Sequence, residues 1–415
     1  MTDVRRLAVL TYHSSPLVEP GAGDAGGMTV YVRELATALA EQGVLTDIFT
    51  RATGDLPRIA SFGEGIRVIA IEAGPHRSLD KSQLEEHLSD FVSGIRSFSI
   101  GQRLSYDLVH SHYWHSGLAG RELAQVWGVP LVHSHHTLGR VKNRWLAPGD
   151  SPEPDERIAG EAEVVEGADV LVASTEEERT HLQALYGAPE ERLKVLPPGV
   201  DHNLFVPGDR AEARADLGLG EGPLLLSVGR IQKLKGMDLS IRVVAELKAR
   251  GVAARLLIVG GESGRLSHLE AGRLRALTRE LGVDDLVVFA GRQPHIDLPL
   301  YYQAADALLV SSHSESFGLA ALEAQACGVP VIGTRVGGLP HLVAEGESGF
   351  IVDERDPSRL ADRVQILFDD PDGWESFSRA ARARAAVFSW KRSAEAFLEL
   401  YECLVREPYP EACTC

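Results

Sequence analysis

Ala307-Leu308-Leu309-Val310, followed by Ser314-Glu315-Ser316-Phe317-Gly318-Leu319-Ala320-Ala321-Leu322-Glu323, is the stretch whose reading decides the fold. Four apolar residues without alternation predict a strand buried on both faces, as in a parallel sheet. An apolar helix is predicted next, over 318–326. Glu315 falls in the loop between them and Glu323 two turns into the helix. That loop lies at the carboxyl end of the strand, where parallel sheets bind ligands.

The same alternation runs outward in both directions. Strands are predicted over 7–12, 45–50, 67–71, 108–111, 131–133, 170–173 and 194–196, then over 224–228, 255–259, 286–289, 307–310, 331–333 and 349–352. Helical periodicity separates nearly all of them, for example at 29–42, 82–98 and 155–167. Strand-helix alternation implies parallel sheets with helices on both faces. The expected fold is α/β, two Rossmann-like doubly wound domains facing across a cleft, with about six or seven strands each.

Proline and glycine concentrate at Pro197-Pro198-Gly199 and Pro207-Gly208, which sets the seam. The first domain is read as 1–200, the second as 201–390, and 391–415 as a last helix and tail able to cross back to the first. A chain of 415 residues is too long for one ordinary core and fits this division.

A formal net charge of −17 argues against a nucleic-acid surface but leaves room for a phosphorylated small molecule in a locally basic cleft. No apolar run reaches the ~18 residues of a membrane span, and no signal peptide is recognisable, so the reading is a cytosolic protein. Of the four cysteines, Cys327 reads as a core residue and Cys413-x-Cys415 as an untethered tail.

Three loops at strand ends carry the chemistry. Gly21 through Gly27 is glycine-rich and feeds a helix, a ready anion site that matches neither the dinucleotide fingerprint nor the P-loop. Gly229-Arg230-Ile231-Gln232-Lys233-Leu234-Lys235-Gly236 places three cations within six residues, which suits a diphosphate. Arg292 follows another strand. Between Glu315 and Glu323, the N–H groups of Phe317, Gly318 and Leu319 open a helix, so two carboxylates for hydroxyls flank an anion site. The clusters His110-Ser111-His112-Tyr113-Trp114-His115 and His133-Ser134-His135-His136-Thr137 read as polar cleft lining ahead of metal ligands, since no carboxylate or thiolate accompanies them. By spacing alone Lys81, Lys142 and Arg157 are solvated surface charges.

With these residues in place the chain resembles the retaining family-4 glycosyltransferases of the GT-B fold, over essentially its whole length. The Glu315-x7-Glu323 pair, the Arg230–Lys235 loop, the Gly26-Gly27 loop and Gly337-Gly338-Leu339-Pro340 carry the likeness in order. Leu79-Asp80-Lys81, Val141-Lys142-Asn143 and Pro152-Glu153-Pro154-Asp155-Glu156-Arg157 make it similar to the subgroup that glycosylates inositol 3-phosphate in mycothiol synthesis.

The resemblance implies a UDP-sugar donor, UDP-N-acetylglucosamine, and a phosphorylated small-molecule acceptor. Arg230 and Lys235 would hold the diphosphate, Arg292 would lie by the uracil, Glu323 would hold the ribose and Glu315 the sugar hydroxyls, with Gly27, Phe317, Gly318 and Leu319 also on the donor. Lys81, Tyr113, Thr137 and Arg157 would hold the acceptor phosphate. His13, Asp24, Gly26, Gly27 and Thr29 would lie near the inositol, and His136 by the reacting centre. No cofactor is required and no metal site is assigned, although Mg²⁺ and a homodimer are both compatible with the reading. Thr29 stands where asparagine is usual, Glu19 where glutamine is, and His135 where a small residue is. A sucrose-phosphate synthase-like transferase is the alternative within the class. A nicotinamide oxidoreductase and a non-catalytic sugar-nucleotide binder are the alternatives outside it.

Overall fold

The computed structural model describes residues 3–21, 25–54, 56–262 and 267–406, so Asp24 and the Cys413/Cys415 tail lie outside the described residues. The first sheet is built from β1 (Arg6–Leu10), β2 (Leu45–Arg51), β3 (Ile59–Ala60), β4 (Ile66–Ile71), β5 (Leu108–His112), β6 (Leu131–Ser134), β7 (Val170–Ala173) and β8 (Leu193–Val195). Its order is β3-β4-β2-β1-β5-β6-β7-β8. The second sheet holds β9 (Leu224–Val228), β10 (Arg255–Val259), β11 (Val287–Gly291), β12 (Ala307–Val310), β13 (Val331–Thr334) and β14 (Gly349–Val352), in the order β11-β10-β9-β12-β13-β14. Both are parallel except at β3, which pairs antiparallel with β4. This two-residue edge strand is too short to show any period, and it makes the first sheet one strand wider than expected.

Each sheet is covered on both faces, which is why its strands read as unbroken apolar runs. Ile69, Phe91, Leu123 and Leu171 pack on one side of the first sheet. On the other side lie Leu35, Leu39 and Val68 together with Phe397, Leu400 and Tyr401. The last three belong to the helix Trp390–Arg406, which follows the second sheet in sequence yet packs on the helix Gly27–Ala40 of the first domain.

Two helices differ from expectation. The helix expected over 82–98 is divided into Lys81–Leu84, a 3-10 turn Glu85–His87, and Leu88–Gly101, because the His87 backbone leaves helical geometry. The first piece starts at Lys81, with a capping box between Asp80 and Gln83. The helix expected from Thr29 begins two residues earlier, at Gly27, with Gly26 as N-cap. No helix among the described residues is long and apolar enough to cross a membrane.

Candidate active site

Parallel strands present their carboxyl ends to one side, and here the carboxyl ends of the two sheets face each other across a cleft of about 460 Å³. The first domain lines it with His13, Gly26, Gly27, Lys81, Tyr113, His136, Thr137 and Arg157. The second contributes Arg230, Lys235, Arg292, Glu315, Phe317, Gly318, Leu319 and Glu323. The domains touch across the cleft: the Ser316 hydroxyl donates to the His136 carbonyl, and the Lys233 ammonium donates to the Gly149 carbonyl.

On the second-domain wall, Lys235 ends a 3-10 turn that Gly236 closes in the left-handed conformation. Its ammonium lies 2.6 Å from Glu315 Oε2, which also accepts from Ser312 Oγ at 3.1 Å. Glu315 thus sits beside the basic loop rather than apart from it. Glu323 is buried, and both its oxygens are engaged: Oε1 with His295 Nε2 at 2.8 Å and Oε2 with the Tyr302 hydroxyl at 2.7 Å. Burial opposes charging of His295, but the Glu323 carboxylate outweighs it and raises the imidazole above its ordinary range.

The loop between the carboxylates is fixed by backbone against backbone. A Cβ on Gly337 would stand 1.4 Å from the Glu315 carbonyl oxygen, and Gly337 has φ +50°, so only glycine fits. Across the cleft Arg230 packs over Gly26, its guanidinium Nε 3.4 Å from where a Cβ would stand, an ordinary contact distance.

On the first-domain wall the cations converge on an aromatic ring. Arg157 lies 5.1 Å from the centre of the Tyr113 ring and the Lys81 ammonium 5.3 Å from it. Arg157 is 2% exposed, not the surface charge its spacing suggests. Two carboxylates make that burial tolerable: Glu161 on Nε at 2.7 Å and Glu153 on Nη1 at 2.9 Å. Its Nη2 donates to Thr137, to the hydroxyl at 2.9 Å and to the carbonyl at 3.0 Å. Lys142 also lines the cleft, paired with Glu153 at 2.6 Å. Sequence reasoning missed it. Glu153, Arg157 and Glu161 recur at steps of four, but that spacing also fits a solvated ion-pair row, so it does not reveal Lys142.

Of the residues expected on the acceptor, Thr29 is not brought to the cleft. Because the helix starts at Gly27, Thr29 falls in its first turn with the side chain turned inward, 2% exposed, its hydroxyl 3.1 Å from Ser14 Oγ. It lies behind the loop.

Of the two histidine clusters, expected as cleft lining, only His136 reaches the cleft; His110, His112, His115, His133 and His135 are buried behind it. His112 Nδ1 is 2.8 Å from His136 Nε2, His110 Nδ1 is 2.7 Å from the Tyr401 hydroxyl, and Ser111 Oγ is 2.8 Å from His133 Nδ1. Burial pushes His136 down to about 3, so it faces the cleft as a neutral imidazole. Among the described residues no three of His, Cys, Asp or Glu are placed to hold a metal ion. Tyr113 and His136, both at the cleft, have positive φ, +71° and +60°, a backbone cost that tends to cluster at functional sites.

Two family models match the chain: "Glycosyl transferase 4-like domain" over residues 26–199 and "Glycosyl transferases group 1" over 209–384. The D-inositol 3-phosphate glycosyltransferase of Acidothermus cellulolyticus is 48% identical over 96% of this chain and 90% of that protein. Its counterpart in Thermobifida fusca is 45% identical over 95% of this chain and 93% of its own length. Among solved structures, sucrose-phosphate synthase from Thermosynechococcus elongatus superposes with a TM-score of 0.90 at 32% identity, covering 97% of this chain and 99% of that one.

Proposed function

The chain belongs to the GT-B glycosyltransferases of group 1, with D-inositol 3-phosphate glycosyltransferases among its relatives, and from that premise we propose that it transfers N-acetylglucosamine from UDP-N-acetylglucosamine to 1D-myo-inositol 3-phosphate with the anomeric configuration retained. The observation that carries the acceptor is the buried Arg157, set with Lys81 over the Tyr113 ring on the wall opposite the Arg230–Lys235 loop. One basic site per domain suits two phosphorylated substrates, a diphosphate on one wall and a monoester on the other.

In the reaction the acceptor oxygen forms a bond to the anomeric carbon, the bond from that carbon to the diphosphate breaks, and the acceptor proton passes to the departing phosphate oxygen. Arg230, Lys235 and the N-terminal turn at Phe317, Gly318 and Leu319 meet the charge that develops there. Glu315, held on Lys235, serves the sugar hydroxyls rather than attacking the opposite face, so attack and departure share one face. Arg292 stands by the uracil and Glu323, with oxygens oriented by His295 and Tyr302, by the ribose. His13, Gly26 and Gly27 border the polyol. Protein cations supply the charge, so no metal is needed for turnover.

A donor-by-acceptor screen read by product mass tests this, with the anomeric configuration of the product read by NMR. Transfer from UDP-N-acetylglucosamine to inositol 3-phosphate, undiminished in EDTA, is expected. Preference for fructose 6-phosphate would replace the acceptor by that of the sucrose-phosphate synthase to which the chain is similar. An inverted product or a trapped glycosyl-enzyme would overturn the mechanism.

A further inference from the structure

The wall that carries Arg157 and Lys81 holds a third cation, Lys142. Lys142 sits on the short helix Gly139–Arg144. That helix is pinned at its start by the buried Glu161, whose carboxylate oxygens accept from the Gly139 amide at 3.0 and 2.9 Å while also taking Arg157 Nε. Glu153 then bridges Lys142 Nζ and Arg157 Nη1, at 2.6 and 2.9 Å. Its own backbone is held by Asn143, whose Oδ1 accepts the Glu153 amide at 2.7 Å, and it is flanked by Pro152 and Pro154. Lys142, Arg157 and Lys81 line the cleft; neither carboxylate does. The cations therefore face the substrate and the anions stand behind them.

Lys142 is thus a third cation on this wall beside Arg157 and Lys81, and Glu153 is the carboxylate that holds its ammonium there. We propose that Lys142 is a specificity-determining acceptor residue, whose charge, held in place by Glu153, makes the wall select a phosphate ester over the free polyol. The proposal rests on the phosphorylated acceptor inferred above and adds to it a group that spacing alone leaves on the surface.

Coulomb attraction and mechanical support predict opposite behaviour for the two partners. If charge decides, Lys142→Gln weakens phosphate binding, whereas Glu153→Gln, which keeps a hydrogen-bonding side chain and removes a negative charge, leaves it equal or tighter. If the pair is only a strut, both variants weaken it alike. The experiment measures inorganic phosphate binding by calorimetry to the full chain, for wild type, Lys142→Gln, Lys142→Arg and Glu153→Gln, with UDP binding as the control for folding. For Lys142→Gln the expected result is a loss on the order of 10- to 100-fold in phosphate affinity, the worth of a charged hydrogen bond, with UDP affinity unchanged. Lys142→Arg retains most of the affinity. Parallel losses in Lys142→Gln and Glu153→Gln, or no loss in Lys142→Gln, overturn the proposal. Lysine-dependent phosphate binding in an enzyme that does not glycosylate inositol 3-phosphate would sink the acceptor assignment alone.

Discussion

At the residue scale, the two glutamates that mark the sequence behave differently once their neighbours are known. Glu323 is a buried carboxylate whose oxygens are aimed by His295 and Tyr302, whereas Glu315 lies against Lys235 at 2.6 Å. If that lysine stabilises the leaving diphosphate, Lys235→Ala lowers kcat by on the order of 10²–10³-fold, the usual cost of removing one preorganised donor from a developing oxyanion. A change within threefold in steady-state assays would remove Lys235 from the chemistry. The glutamate spacing and the Gly-Arg…Lys-Gly loop were legible because each sits within a few residues of one strand end. Lys142 and Arg157 were not, because their burial depends on Glu153, Glu161 and Tyr113, and no local period reveals a tertiary partner.

At the element scale, the helix Trp390–Arg406 ties the end of the chain to the first domain. It lays Phe397 and Tyr401, both fully buried, against the same sheet face as the helix Gly27–Ala40, and Tyr401 reaches the His110 ring. The helix therefore supports the buried histidines behind the cleft. Phe397→Ala should cost about 3–5 kcal/mol as a large-to-small change in a closed core, read as a lower denaturant midpoint at unchanged slope. An effect below about 1 kcal/mol would show that the helix docks loosely. Its amphipathic period is plain in the sequence, but its partner is not, because an apolar stripe fits any apolar face of suitable width.

At the scale of the whole molecule, the buried histidines set an acid limit. Burial pushes His110, His115, His135 and His136 down to about 3, against about 6.5 in an unfolded chain. As pH falls from 6.5 towards 3 the unfolded chain takes up protons that the native state refuses, so stability present above pH 6.5 is progressively lost, at up to about 1.4 kcal/mol per pH unit for each ring. Glu178 acts in the opposite sense: burial raises it to about 7, so its native form gains protons first between pH 7 and 4.5. Glu34 and His295, also raised, act with Glu178, but the lowered rings, which include His13, His112 and His133 as well, outnumber them, and the thermal midpoint should fall steadily from pH 7 to pH 5. A midpoint that holds or rises over that range would contradict the neutral state of the buried histidines.

The sequence by itself determined what depends on near neighbours along the chain: the alternation of strand and helix, the two sheets, the glycine turns, and the carboxylates and cations at the strand ends of the second domain. Period and turn chemistry are local, so they survive without coordinates. The tertiary structure alone decided which strand ends face one another, that Thr29 turns inward, that a two-residue edge strand completes the first sheet, that Arg157 leaves solvent to stand over Tyr113, and that Lys142 pairs with Glu153 at the cleft. Each of these is a matter of which partner a group finds across the fold, and a buried charge is stabilised only by that partner.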